Sequence, residues 1–338
     1  MADDPKLLER LIRRQVLIQR FGGSQVKKSL PVLRQLARDL RQRIAAGDAT
    51  EFQAGRMAVL ESDIRLIIAQ AVEAMRDDLD LDAFAQQEIE FTQDMMAAAV
   101  TVEVPRSISM ETVKAITTRR QMKLVSGDKV KRLTIPAMFD EFSKAAGRDA
   151  MRIVQSGVLS GQTQQQMARD VSTLVNTRSR RQAETVIRTA TNAIGSAARQ
   201  ETYDSLSDVM KGERFLAVLD GRTTLTCASN DQQIFPIGRG PMPPLHYGCR
   251  SLRAPELKDE YQRGTQGERA SMNGPVSNQL TYGGWLKRQS PEFIDDTLGP
   301  QRGQLFRSGK LKIDQFVDNN GRSLTLDELR QRYNLTMG

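Results

Sequence analysis

Along the first two hundred residues, apolar side chains recur every three or four positions, the period of a helix with one buried face. Leu33, Leu36, Ala37, Leu40 and Ile44 form the first such stripe. Pro31 suits the first position of a helix, with Ser29 or Leu30 ahead of it, and Gly47 supplies a stop. The opposite face carries Arg34, Arg38, Arg41 and Arg43. A second stripe of Val59, Leu60, Ile64, Ile67, Ile68 and Ala71 predicts a helix over about 56–77. A third follows Asp80-Leu81-Asp82 to about Ala99 and is acidic, with Glu88, Glu90 and Asp94. Around Val102-Glu103-Val104-Pro105 the pattern breaks, and the segment to Pro136 reads as a connector with a short helix.

Helices resume at Ala137-Met138-Phe139. Thr163 and Gln166 have the spacing of a capping box, in which each side chain serves the other's backbone N–H. Met167, Val171, Leu174 and Val175 follow as the apolar stripe. A further helix over about 178–206 turns Val186, Ile187, Ala190, Ile194 and Ala197 inward, and its exposed side begins with Arg178, Arg180 and Arg181. Near Lys211-Gly212 the texture changes. Phe215–Leu219 is an apolar run of strand length closed by the turn Asp220-Gly221, and Ile234–Ile237 is a second extended piece. Gly238, Gly240, Pro241, Pro243 and Pro244 then forbid regular structure. Residues 256–280 read as an exposed polar linker, before a tail marked by Trp285, Phe293, Leu305 and Phe316.

The expected fold is mainly α with a small β-containing α+β subdomain: long N-terminal helices, a short-strand module holding cysteine and histidine, and a short helical C-terminal tail. The corresponding divisions are 1–145, 146–208, 209–256 and 257–338.

Composition narrows the class of function. Only 39% of residues are hydrophobic and 5% aromatic, which suits long helices with one buried stripe and surfaces left for partner subunits. No apolar stretch approaches the length of a membrane span, and the acidic start Met1-Ala2-Asp3-Asp4-Pro5 lacks a secretory apolar region, so no membrane contact is expected. The net charge of +8 is unevenly placed, with basic residues 1–50, acidic 51–100 and basic 101–200. Alternating blocks point to contacts with protein surfaces, with DNA as a second candidate. Arg34, Arg38, Arg41, Arg178, Arg180 and Arg181 are the candidate DNA or partner contacts, against the plainer view that they are solvated helix faces.

Cys227, His246 and Cys249, the chain's sole cysteines and sole histidine, fall within one short segment. Each is a good zinc ligand, and the H-x-x-C spacing lets one turn present two of them. Pro243-Pro244 would lower the entropy cost of holding that turn. A structural zinc site wants four ligands, so Asp231 or Asp220 could add an oxygen, or a water could take the open place. Two alternatives stand beside the metal. One is a Cys227–Cys249 disulfide, worth roughly 3 kcal/mol in the entropy model; the other is a pair of buried free thiols beside a hydrogen-bonding histidine. A metal- or thiol-dependent hydrolase centred on His246 is a further class, although neither cysteine is followed by a convincing helix N-terminus that would activate its thiol. No phosphate-cradling glycine loop supports an ATPase.

The order Leu219-Asp220-Gly221-Arg222-Thr223, then Cys227, Asp231, Phe235-Pro236, and Pro243-Pro244-Leu245-His246-Tyr247-Gly248-Cys249-Arg250-Ser251 resembles the phage Mu F-like head morphogenesis family. Arg188-Thr189 is similar to that family's preceding helix, and Trp285–Gln289 with Leu298–Arg302 to its tail. One departure is Ser251, where many members carry a further cysteine. The resemblance implies a non-enzymatic minor structural protein of a tailed-phage head. It would be made in the host cytoplasm and located in the virion, in the head interior or at the portal vertex. Its implied partners are portal and capsid or scaffold proteins, with phage DNA as a further candidate.

Overall fold

The computed structural model describes residues 6–46, 54–263 and 267–335. The fold is mainly α with small sheets, as expected. Six long helices form the body: α1 (Leu7–Ala45), α2 (Ala54–Asp77), α3 (Leu81–Ala99), α5 (Ile135–Leu159), α6 (Gln164–Leu174) and α7 (Arg180–Asp204). Between α3 and α5 lie the short helix α4 (Met110–Lys114) and a hairpin of β1 (Met122–Ser126) and β2 (Lys129–Leu133). No helix among the described residues is long and apolar enough to cross a membrane.

A helix starting at Pro31 is not what forms. α1 runs unbroken from Leu7, with Pro31 in its interior and exposed. An interior proline costs about 3 kcal/mol. Here the buried stripe continues on both sides of it, through Leu8, Leu11, Ile18 and Val26 to Leu33, Leu36, Leu40 and Ile44, so both halves gain by staying on one axis. Ser29 caps nothing; its hydroxyl donates to the Val26 carbonyl. The expected stop at Gly47 lies outside the described residues. On α2, Leu60, Ile64 and Ile68 are buried, but Val59 points outward. On α3, Glu88 is buried and takes Arg14 at 2.7 Å, whereas Glu90 and Asp94 are exposed.

The Thr163–Gln166 capping box forms at the start of α6. A π-helical turn, Val175–Ser179, carries α6 into α7, and Val186, Ile187, Ala190, Ile194 and Ala197 all face inward. One apolar core joins α1, α2, α3, α5, α6 and α7, and the boundary expected at 145/146 falls inside α5. The two ends of the body meet where α1 crosses α7. Gly22 of α1 faces Thr191, and Gly195 of α7 faces Ile18, so close that an added Cβ would lie 2.8 and 2.7 Å from those side chains.

After α7 comes a three-stranded antiparallel sheet in the order β4-β3-β5, with β3 at Met210–Leu216, β4 at Ile234–Phe235 and β5 at Leu252–Leu257. The short helix α8 (Leu225–Ala228) lies between β3 and β4. The sheet's apolar side packs on the first turns of α1 and the end of α3, where Leu8, Leu11, Met95 and Met96 meet Leu216, Leu252 and Ala254. The segment expected to be a polar linker instead holds the hairpin β6 (Glu268–Ser271) and β7 (Gly274–Ser277). The tail, α9 (Tyr282–Leu286), α10 (Pro291–Leu298), α11 (Pro300–Arg307) and α12 (Leu326–Tyr333), builds its own core around Trp285 and Phe306. Leu219 and Ala228 enter that core from the sheet region.

The α1–α7 crossing yields a stability test. Gly195→Leu should lose about 1–3 kcal/mol through overpacking against Ile18. Gly23→Ala, whose new methyl would meet only the Arg188 side chain at ordinary distance, should be neutral or gain up to about 1 kcal/mol in helix propensity. Urea denaturation of both variants reads the contrast.

Candidate metal centre

The loop between β4 and β5 cannot form a ladder, because its prolines lack the N–H groups a strand needs. It is held instead by side chains from elsewhere. α7 is buried on every side over Thr189–Gln200, so its polar residues there must find protein partners. The Thr189 hydroxyl accepts from the Gly248 N–H at 2.9 Å. Asn192 donates to the Cys249 carbonyl at 2.9 Å and to the Ser251 carbonyl at 3.4 Å, while its own oxygen takes Gln15 of α1 at 2.7 Å. Arg188 reaches the Gln19 carbonyl of α1 at 3.1 Å.

Held in this way, the loop brings His246 and Cys249 to Cys227, which sits in α8. Cys227 Sγ lies 3.2 Å from His246 Nε2 and 3.6 Å from Cys249 Sγ, and all three ligand atoms fall within 4.8 Å of one another. His246 Nδ1 is 2.9 Å from the Tyr247 carbonyl. That contact fixes Nδ1 as a donor and turns Nε2 toward the sulfurs, the orientation in which a metal-binding histidine is held. Phe215, Ala217 and Leu245 close a small apolar shell around the two cysteines.

The titration directions fit an electron-rich cluster. Burial opposes ionisation of Cys249, yet hydrogen bonds from Cys227 and His246 hold its thiol well below the usual range. Cys227 is pushed well up by its contact with Cys249 and by burial. Burial also opposes protonation of His246, but the Cys249 thiolate and the Tyr247 carbonyl outweigh it and raise its pKa. One thiolate, one thiol and one imidazole ring, with Nε2–H donating to the Cys249 thiolate, therefore converge on a common point. The group could bind a metal ion, which would displace both the remaining thiol proton and the Nε2 proton. As a nucleophile the arrangement is poorly placed: both cysteines are buried, at 2% and 1% exposure. They are free thiols, with no disulfide between them.

Neither aspartate offered as a fourth ligand joins the cluster. Asp231 accepts from Arg269 through both oxygens at 2.9 Å, and from the backbone N–H groups of Ala217 at 2.8 Å and Tyr282 at 2.6 Å. A carboxylate with four such donors is already satisfied. Asp220 is clamped by Arg250 at 2.6 and 2.8 Å; burial works against its charge, but the guanidinium holds its pKa below the ordinary value. The side chains that do face the cluster are hydroxyls, those of Ser251 and Thr224, both directed at Cys227. Sequence reasoning missed Asn192, Gln15 and Arg269. A polar residue on the inner face of an otherwise apolar helix was the available signal for Asn192.

The arginines predicted to contact DNA or a partner lie apart from the centre. Arg34, Arg38 and Arg41 are exposed on α1, and Arg38 bonds Gln35. Arg178 pairs with Asp149 at 3.4 Å, while Arg180 and Arg181 are exposed at the start of α7.

Residues 150–253 match a protein family described as phage Mu protein F like protein. The match begins inside α5 and ends in β5, covering less than a third of the chain and including Cys227, His246, Cys249, Thr189, Asn192 and Asp231. It bears out, over that segment, the resemblance drawn from the motif. No curated protein and no solved structure matches the chain.

The satisfied state of Asp231 yields a test that separates stability from metal binding. Asp231→Asn should cost about 3–5 kcal/mol, because Arg269 would be left buried without its counter-charge. Chemical denaturation measures that loss. The metal content of the folded fraction should not change.

Proposed function

We propose that this chain is a minor structural protein of a tailed-phage head, acting in morphogenesis at or near the portal vertex and contacting portal and capsid or scaffold proteins. The observation that carries the proposal is that the family match encloses the whole cysteine–histidine cluster together with the helix that positions it. The matched segment holds the cysteine–histidine loop, the α7 side chains that grip it, and strands β3 and β4 with the start of β5. The buried cluster and the long polar helix faces suit a part that is held by neighbours rather than one that turns over a substrate.

Within that role, Cys227, His246 and Cys249 would hold a structural zinc ion. Two sulfurs and one imidazole match zinc's preference for soft and nitrogen ligands. Zinc would supply charge neutralisation and a crosslink between α8 and the proline-rich loop, and its binding would add to folding stability. Ser251, buried and facing Cys227, stands where a further thiolate would complete the set.

Two measurements test these proposals. Mass spectrometry of purified virions and of empty procapsids should find the chain in both, in few copies relative to the major capsid protein; its absence from both would remove the head assignment. Zinc titration of the reduced protein should give one ion per chain. Ser251→Cys should tighten that binding by an order of magnitude or more and His246→Ala should weaken it. A chain that retains no zinc, with identical thermal melting in the presence of chelator, would refute the metal.

A further inference from the structure

The exposed face of α1 carries a basic residue at every seventh position: Arg13, Arg20, Lys27, Arg34 and Arg41. All five are exposed, and none pairs with an acid among the described residues. At 1.5 Å per residue the bases stand about 10.5 Å apart and span about 42 Å. A straight helix drifts by about 20° per heptad, about 80° over the four intervals, so the five form a rail that winds slowly round the exposed side of α1 with neighbouring bases only about 20° apart. The helix's acids lie off this rail: Glu9 is in the first turn and Asp39 bonds Gln35.

We propose that this rail binds duplex DNA through its phosphates, without reading sequence. The inference deepens the head assignment by naming a polyanionic partner and rests on that assignment only for where such DNA would be met. Two features favour DNA over an acidic protein surface. A protein interface needs a desolvated apolar centre; beside the rail only Val16 and Leu17, near its start, are exposed large hydrophobic residues, and from Arg20 to Arg41 there is none. Duplex DNA presents about one charge per 1.7 Å of its axis, so a 42 Å row of bases finds phosphate partners in many registers. Of the other bases on α1, Arg14 is committed to Glu88, Lys28 to Asp80 and Arg43 to Asp63, while Arg38 bonds Gln35.

The test is fluorescence anisotropy of the full chain with a mixed-sequence duplex across a salt series. Five phosphate contacts predict a slope of log K against log salt of about −4.5, and each single substitution such as Arg20→Gln or Arg34→Gln should make it shallower by about 0.9. Replacing all five bases with glutamine should abolish the salt dependence, and replacing the four arginines with lysine should preserve it. The single variants keep the test decisive if the fivefold variant misfolds. Salt-insensitive or absent binding by the natural chain overturns the proposal. So does full binding by the glutamine variants with loss on substituting Arg178, Arg180 and Arg181, or competition by polyglutamate at lower concentration than by DNA. None of these outcomes depends on finding the chain in virions, so failure of the rail and failure of the head assignment are distinguishable.

Discussion

The side-chain amide of Asn192 joins three parts of the molecule that share no secondary structure. Its nitrogen serves the carbonyls of Cys249 and Ser251, and its oxygen accepts from Gln15 of α1. A buried carbonyl left without a donor costs about 1–3 kcal/mol, and the proline-rich loop has no ladder to supply one. α7 therefore imposes the loop's conformation, and the loop's conformation sets where His246 and Cys249 point. Thr189, one turn earlier on the same face, fixes Gly248 in the same way. The cysteine–histidine cluster depends on a helix that contributes none of its three side chains.

With few aromatic residues, the region around that centre relies on ion pairs where a larger domain would rely on apolar volume. Arg269–Asp231 and Arg253–Glu213 are almost wholly buried, and Arg250–Asp220 is partly so. Such pairs add little net stability, because the cost of removing each charge from water offsets their attraction. Their geometric demands are strict, however. Asp231 ties β3, the β6 hairpin and the start of α9 together through one carboxylate, so strand, hairpin and tail have one mutual arrangement that satisfies it. The pairs thus favour a single arrangement of small elements that have little apolar surface with which to specify it.

The helical body was legible because its signal is periodic and local. The capping box at Thr163, the inward stripe of α7 and the run of α3 each followed from spacing alone. Pro31 is the exception, because its local preference for a helix start is outweighed by the apolar stripe on both sides of it. The β1–β2 hairpin was missed although Gly127-Asp128 sits between two alternating runs, since it lies in a stretch read as a break between helices. Clustering of the lone histidine and the two cysteines was visible from their rarity, and the structure brings their ligand atoms together. Residue type and nearness in sequence point to Asp231 and Asp220 as a fourth ligand, but neither reveals the arginine that occupies each. Arg269, which consumes Asp231, comes from a hairpin dozens of residues away that read as linker, and such long-range pairing leaves no periodic trace.

Gln15 lies outside the matched segment, and yet it completes the hydrogen bonding of Asn192 inside it. A chain reduced to residues 150–253 would leave the Asn192 oxygen, the Gly195 surface and one side of the sheet's core without partners. The N-terminal helix is therefore the second half of the site's support. Its buried face holds the loop through Gln15 and through the carbonyl that receives Arg188, while its other face exposes Arg13, Arg20, Lys27, Arg34 and Arg41. One helix can do both because a period near 3.6 separates the residues that look inward from those that look outward. Charges on the outer face can change without touching the hydrogen bonds that position His246 and Cys249.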